Sequence, residues 1–96
     1  SSIISFIRKS KTNSEVILVV CNFTPVVRDS YRIYVPNSGY WKECLNSDAQ
    51  IYGGSGVGNA GGVETRIKKN TEGQDYIDIC LPPLGVLFFK YKPEMA

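Results

Sequence analysis

The sequence predicts an all-β protein, an antiparallel β-sandwich of about seven to eight strands of Greek-key type, and three observations carry that prediction. Short runs rich in Val, Ile, Tyr and Phe recur along 96 residues, separated by Pro, Gly, Asn, Asp and Ser. No segment holds a helical period long enough to serve as a crossover between parallel strands. The composition, 43% hydrophobic and 21% charged, is that of a folded globular chain, and the length suits one domain spanning residues 1–96.

Ile3 to Arg8 reads as the first strand, and the polar run Lys11-Thr12-Asn13-Ser14 as the turn of a hairpin. Glu15 to Phe23 follows as a nearly unbroken apolar run that Pro25 stops. Tyr31 to Val35 alternates, with Tyr31, Ile33 and Val35 on one face and Arg32 and Tyr34 on the other. Gly39 to Leu45 is the fourth strand and Val63 to Lys68 the fifth. Tyr76 to Leu81 is the sixth; Pro82-Pro83 breaks it, and Gly85 to Tyr91 is the last. The stretch from Asp48 to Gly62 is long for a connection and reads as a surface excursion.

In Glu15 to Phe23 and in Val86 to Phe89 both alternate faces are apolar, so these strands are covered on two sides. A central strand under a loop explains this as well as a sheet whose outer side packs on another domain.

Function classes narrow by chemistry. A net charge of +2, with basic residues scattered and paired only at Arg8-Lys9 and Lys68-Lys69, gives no track for nucleic acid. No apolar stretch is long enough to span a membrane, and Ser1-Ser2-Ile3-Ile4 lacks a signal-peptide pattern. The chain has no His, which removes the commonest general base and metal ligand. Cys21, Cys44 and Cys80 fit no zinc spacing and cannot all pair, so they read as small hydrophobes in a reducing cytoplasm. Neither a metal nor any other cofactor is expected.

Asp75 and Asp78 fall on opposite faces of a strand and form no catalytic pair. No catalytic residue is assigned. Gly56 to Gly61 matches G-x-G-x-x-G, but a strand pattern follows where a phosphate site needs a helix. Asn22-Phe23-Thr24 fits a glycosylation acceptor by coincidence. Among the aromatic residues, Tyr34, Tyr40, Trp41 and Tyr52 are the candidates for a sugar-stacking platform, with Trp41, Tyr40 and Tyr52 put first. Tyr40 and Trp41 are adjacent in a strand, so only one of them faces outward.

Several blocks of sequence resemble a known family. They are Val19 to Val26, Tyr31-Arg32, Gly39 to Asp48, Ile51 to Gly56, Gly58-Asn59, Gly61-Gly62 and Leu81 to Gly85. In order and spacing they resemble the C-terminal β-domain of the 1,4-α-glucan (glycogen) branching enzymes, members of the α-amylase superfamily. The resemblance implies a cytoplasmic parent with an N-terminal β-domain, a central (β/α)₈ barrel and a C-terminal sandwich. In such a parent a barrel Asp cleaves an α-1,4 linkage and a Glu serves as acid/base. The chain is then passed to a 6-hydroxyl, and no cofactor takes part. None of the barrel motifs is present in this chain.

The resemblance therefore implies a non-catalytic domain, cut from a longer enzyme, that stabilises the barrel. The missing barrel is its expected partner, with Val19, Cys21, Phe23 and Phe88 as the contact; α-glucan is a second expected partner. An independent carbohydrate-binding module and a free-standing interaction domain are the alternatives.

Overall fold

A computed structural model describes residues 2–12, 15–47, 58–59, 61–67 and 75–93. Among the described residues the apolar runs become eight strands: β1 (Ile3–Lys9), β2 (Val16–Asn22), β3 (Arg28–Val35), β4 (Tyr40–Asn46), β5 (Gly62–Glu64), β6 (Arg66–Ile67), β7 (Asp75–Leu81) and β8 (Gly85–Lys92). One sheet has the order β1-β2-β8-β4-β5 and the other the order β3-β7-β6. All the pairings are antiparallel. Among the described residues no helix is long and apolar enough to cross a membrane.

The strand period of two sorts side chains between the inner and outer faces. Leu18, Val20, Leu87, Phe89 and Trp41 point inward from the larger sheet. They meet Ile33, Val35, Ile77, Ile79 and Leu81 from the smaller one. Each such side chain taken fully from water contributes roughly 1.5–3 kcal/mol, which is what holds the two layers together.

Trp41 is the largest member. Its ring lies 5.2 Å from that of Tyr91, and its indole N–H donates to the Asn37 carbonyl at 3.2 Å. The Tyr91 hydroxyl donates to the neighbouring Ser38 carbonyl at 2.5 Å. The polar tips of both core aromatics therefore keep partners.

The fifth strand read from sequence is two strands. Thr65 interrupts it: its amide donates to the Gly39 carbonyl at 2.9 Å, and its hydroxyl accepts from the Gly39 amide at 2.8 Å. Before that clamp Gly62–Glu64 pairs with β4; after it Arg66–Ile67 pairs with β7 in the other sheet. Gly62 lies so close to Tyr40 that a Cβ there would overlap its hydroxyl. The third strand also begins earlier than the alternation indicates, at Arg28, with an irregularity between Arg28 and Tyr31. In β4 the register against β8 shifts between Glu43 and Leu45. Cys44 falls in that bulge and is exposed, which corrects its reading as a small buried hydrophobe.

A buried polar lock closes one end of the sandwich. Asn22, 1% exposed, donates through Nδ2 to the Val26 carbonyl at 3.0 Å and to the Pro82 carbonyl at 2.9 Å. Its Oδ1 accepts from the Thr24 amide at 3.0 Å and from the Thr24 hydroxyl at 2.6 Å. All four capacities of the amide are used. An asparagine so enclosed presents no nitrogen to a glycosyl donor in the folded chain, in keeping with the reading of the tripeptide as coincidence.

Candidate functional site

The outer face of the five-stranded sheet follows from its registers. Ile4, Cys21 and Val86 form one cross-strand row; Phe6, Val19, Phe88 and Leu45 form the next; Arg8, Ile17, Lys90 and Lys42 form a third. Two apolar rows thus end at a basic one. Phe6, Arg8, Ile17, Val19 and Phe88 line a shallow groove of about 370 Å³ on this face.

The apolar surface continues past the strand ends to Phe23, whose amide donates to the Ser2 carbonyl at 2.9 Å. Across from it Leu84 donates its amide to the Thr24 carbonyl at 2.9 Å. Exposure is high for such residues: Ile4 52%, Phe6 45%, Phe23 59%, Leu84 70% and Phe88 37%. Contiguous apolar surface of this kind marks an interaction site. Leu84 adds a second sign, since it holds φ +47°. A left-handed backbone costs a side-chain-bearing residue about 1–2 kcal/mol, yet the Leu84 side chain stands 70% exposed.

On the basic row, Lys90 and Glu15 meet at 2.6 Å. Their hydrogen bond lowers the Glu15 carboxyl below its usual range and raises the Lys90 ammonium above its own. The pair is solvent-exposed, so its main effect is to set local charge rather than stability.

The residues singled out from sequence separate. Val19 and Phe88 are direct neighbours on the outer face, Cys21 is half-buried one row away, and Phe23 extends the same patch. Of the platform candidates that are described, Trp41 and Tyr40 turn to opposite sides of β4, and Tyr34 stands exposed on the other sheet. Trp41 is 0% exposed, locked in the core by Tyr91 and Asn37, and offers no face to a sugar. Its neighbour Tyr40 is on the other side of β4 and half-buried. Tyr52 lies outside the described residues.

Several of the groups able to do chemistry are engaged elsewhere, although the buried Asp75 Oδ2 has no hydrogen-bond partner among the described residues. Asp78 accepts from Arg32 Nε at 3.2 Å. Burial, with help from the charges of Asp29 and Glu43, pushes the Cys80 thiol up, away from the reactive thiolate. Asn59 ties the glycine-rich segment to β7. Its Nδ2 donates to the Cys80 carbonyl at 3.1 Å and to Glu43 Oε2 at 2.8 Å, and its Oδ1 accepts from the Cys80 amide at 2.7 Å. The side-chain amide thus stands in for a strand neighbour on that edge, and Gly62 beyond it opens β5 rather than a helix. No group of three metal-ligating side chains occurs among the described residues. Sequence reasoning named neither the Asn22 lock nor Leu84; a leucine directly after two prolines and before a glycine was the available signal.

This geometry has relatives. The family model described as alpha amylase, C-terminal all-beta domain, matches residues 1–92. The chain is 51% identical over 92 residues to the 1,4-alpha-glucan branching enzyme GlgB of Aquifex aeolicus, covering 95% of this chain and 14% of that protein. It is 52% identical over 88 residues to the enzyme of the same name from Aromatoleum aromaticum, covering 92% of this chain and 14% of the relative. A third, from Prochlorococcus marinus, is 47% identical over 94 residues, covering 98% and 12%. The chain therefore spans about one seventh or less of the relatives it matches. With two antiparallel sheets and a family match over nearly its whole length, the chain belongs to the α-amylase C-terminal all-β domain family.

Proposed function

We propose that this chain is the non-catalytic C-terminal domain of a 1,4-α-glucan branching enzyme, and that its five-stranded sheet rests by its outer face on the catalytic barrel of the same polypeptide. The observation that carries the reading is the apolar patch of Ile4, Phe6, Phe23, Leu84 and Phe88, left in water beside a nearly buried Val19. Relatives seven or more times the length of the matched region supply ample chain to cover it. At roughly 25 cal/mol per Å² of apolar area, a contact of several hundred Å² stabilises both parts. The basic row of Arg8 and Lys42, in which Lys90 is already paired with Glu15, favours acidic side chains on the covering surface. A cytoplasmic setting belongs to the same reading, supported by three cysteines that form no disulfide.

The reaction, cleavage of an α-1,4 linkage and transfer to a 6-hydroxyl, falls in this proposal to the barrel alone. The test pairs Phe6→Asp with Phe88→Asp. In the whole enzyme the double variant loses branching activity, read with iodine-stained amylose, at a clearly lower temperature. In the 96-residue chain the same changes shift the melting temperature much less. An equal effect on both, or no effect on the enzyme, overturns the contact. Branching by the chain alone overturns its non-catalytic role.

A further inference from the structure

The outer face of the smaller sheet carries a different kind of cluster. Register pairs Tyr34 with Tyr76 and Arg32 with Asp78 on adjacent strands, and Arg66 stands beside Tyr76 from the other side. The two tyrosine rings meet edge to face, 5.9 Å apart at 66°. The Arg32 guanidinium lies 3.8 Å above the Tyr76 centroid, and its Nε donates to Asp78 Oδ1 at 3.2 Å. Tyr76 is thereby almost covered, while Tyr34 remains 46% exposed.

Each member is held by another before any ligand arrives. Fixing side chains in advance removes much of the ordering cost of binding. The charges of Arg32 and Asp78 cancel at the centre, with Arg66 adding one positive charge at the margin, so the centre of the cluster suits a neutral ligand better than a bare anion. What it offers is one exposed aromatic ring, a fork with donors beyond the one Asp78 uses, and a carboxylate with acceptor capacity beyond the one Arg32 uses. A neutral polyhydroxylated ring presents the complement: an apolar C–H face, and hydroxyls that both donate and accept.

We propose that Tyr34, Arg32 and Asp78 form a surface subsite for an α-1,4-glucan strand, with a pyranose face on the Tyr34 ring and sugar hydroxyls on the Arg32 guanidinium and the Asp78 carboxylate. The choice of an α-1,4-glucan rests on the proposed place of the chain in a branching enzyme; the choice of a sugar rests on the cluster. The site lies on the sheet opposite the apolar docking face, so both surfaces serve at once. It also replaces the buried Trp41 as the stacking residue.

The experiment is an amide-shift titration of the ¹⁵N-labelled chain with maltoheptaose. The expected result is saturable shifts confined to residues 32–34, 66 and 76–78. Loss of the ring face in Tyr34→Ala weakens binding by about tenfold, the scale of one aromatic contact. Arg32→Lys, which keeps the charge but loses the planar fork, weakens it as well. A flat response, shifts centred elsewhere, or full affinity in Tyr34→Ala overturns the subsite. The wild-type titration decides this even where a variant misfolds. Because the docking proposal is read from Phe6 and Phe88 in the whole enzyme, a failed titration leaves that result standing, and the reverse holds too.

Discussion

Removing the Asn22 side chain is the sharpest test of how the domain holds its docking end in shape. In Asn22→Ala four hydrogen bonds disappear: two donated to the Pro82 and Val26 carbonyls and two accepted from Thr24. At about 1 kcal/mol net for each, tempered by water reaching the more exposed Val26 and Thr24 groups, the loss is about 3 kcal/mol. That is a large share of the roughly 5–14 kcal/mol typical for a domain of this length. At about 4–8 °C per kcal/mol it lowers the melting temperature by roughly 12–24 °C, measured by circular dichroism.

Asn22→Asp sharpens the argument. It has nearly the same shape and keeps both accepted bonds, yet turns a carboxylate oxygen on two carbonyls in a site 1% exposed. At neutral pH it is expected to cost at least as much as Ala. Burial beside those carbonyls raises the folded-state pKa of the introduced acid, so the deficit shrinks as pH falls and the carboxyl becomes a donor, and grows as pH rises. An Ala variant within about 1 kcal/mol of the parent, which is the worth of a single bond, refutes the reasoning. So does an Asp variant more stable than Ala at neutral pH.

Three further outcomes follow from the same structure. Asn59→Ala strips two bonds from the Cys80 backbone and one from Glu43; it is expected to cost about 2–3 kcal/mol in urea unfolding and to speed hydrogen exchange at the Cys80 amide. Gly62→Ala drives a Cβ into the Tyr40 ring and the Trp41 carbonyl, and is expected to destabilise by about 1–3 kcal/mol on the same measurement. For the Glu15–Lys90 pair the folded-state Glu15 pKa is lowered, so its small contribution is present above the ordinary glutamate range and is lost as pH falls through the lowered value. Glu15→Gln therefore flattens the acid limb of a stability–pH curve and barely alters its neutral plateau, as an exposed pair requires.

The parts of the fold that depend on local pattern were readable from the sequence. The doubly apolar runs of β2 and β8 showed strands covered on two sides, but which of their residues face outward is decided only by the pairing of the sheets. The alternation around Tyr40 and Trp41 showed that one faces in, but not which. That choice is made by Tyr91 and Asn37, contacts that exist only once β4 lies beside β8. Likewise the break at Thr65 depends on Gly39 in another strand, and the exposure of Cys44 on a bulge set by pairing with β8. Of the Arg32–Tyr34–Tyr76–Asp78 cluster the alternation gave only Arg32 and Tyr34 on one face; Tyr76 and Asp78 join them only after β3 and β7 pair. Leu84 is the instructive case between these, since its sequence neighbours announce a turn while its strained, exposed state appears only in three dimensions.

Cys21 offers a reporter already in place, on the row that joins Ile4 to Val86, while Cys44 is exposed on the β4 bulge. Alkylation rates of both thiols, compared between the 96-residue chain and the proposed full-length parent, test the covered face directly. Slower labelling of Cys21 in the whole protein than in the 96-residue chain is the predicted result; equal Cys21 rates in the two proteins contradict it.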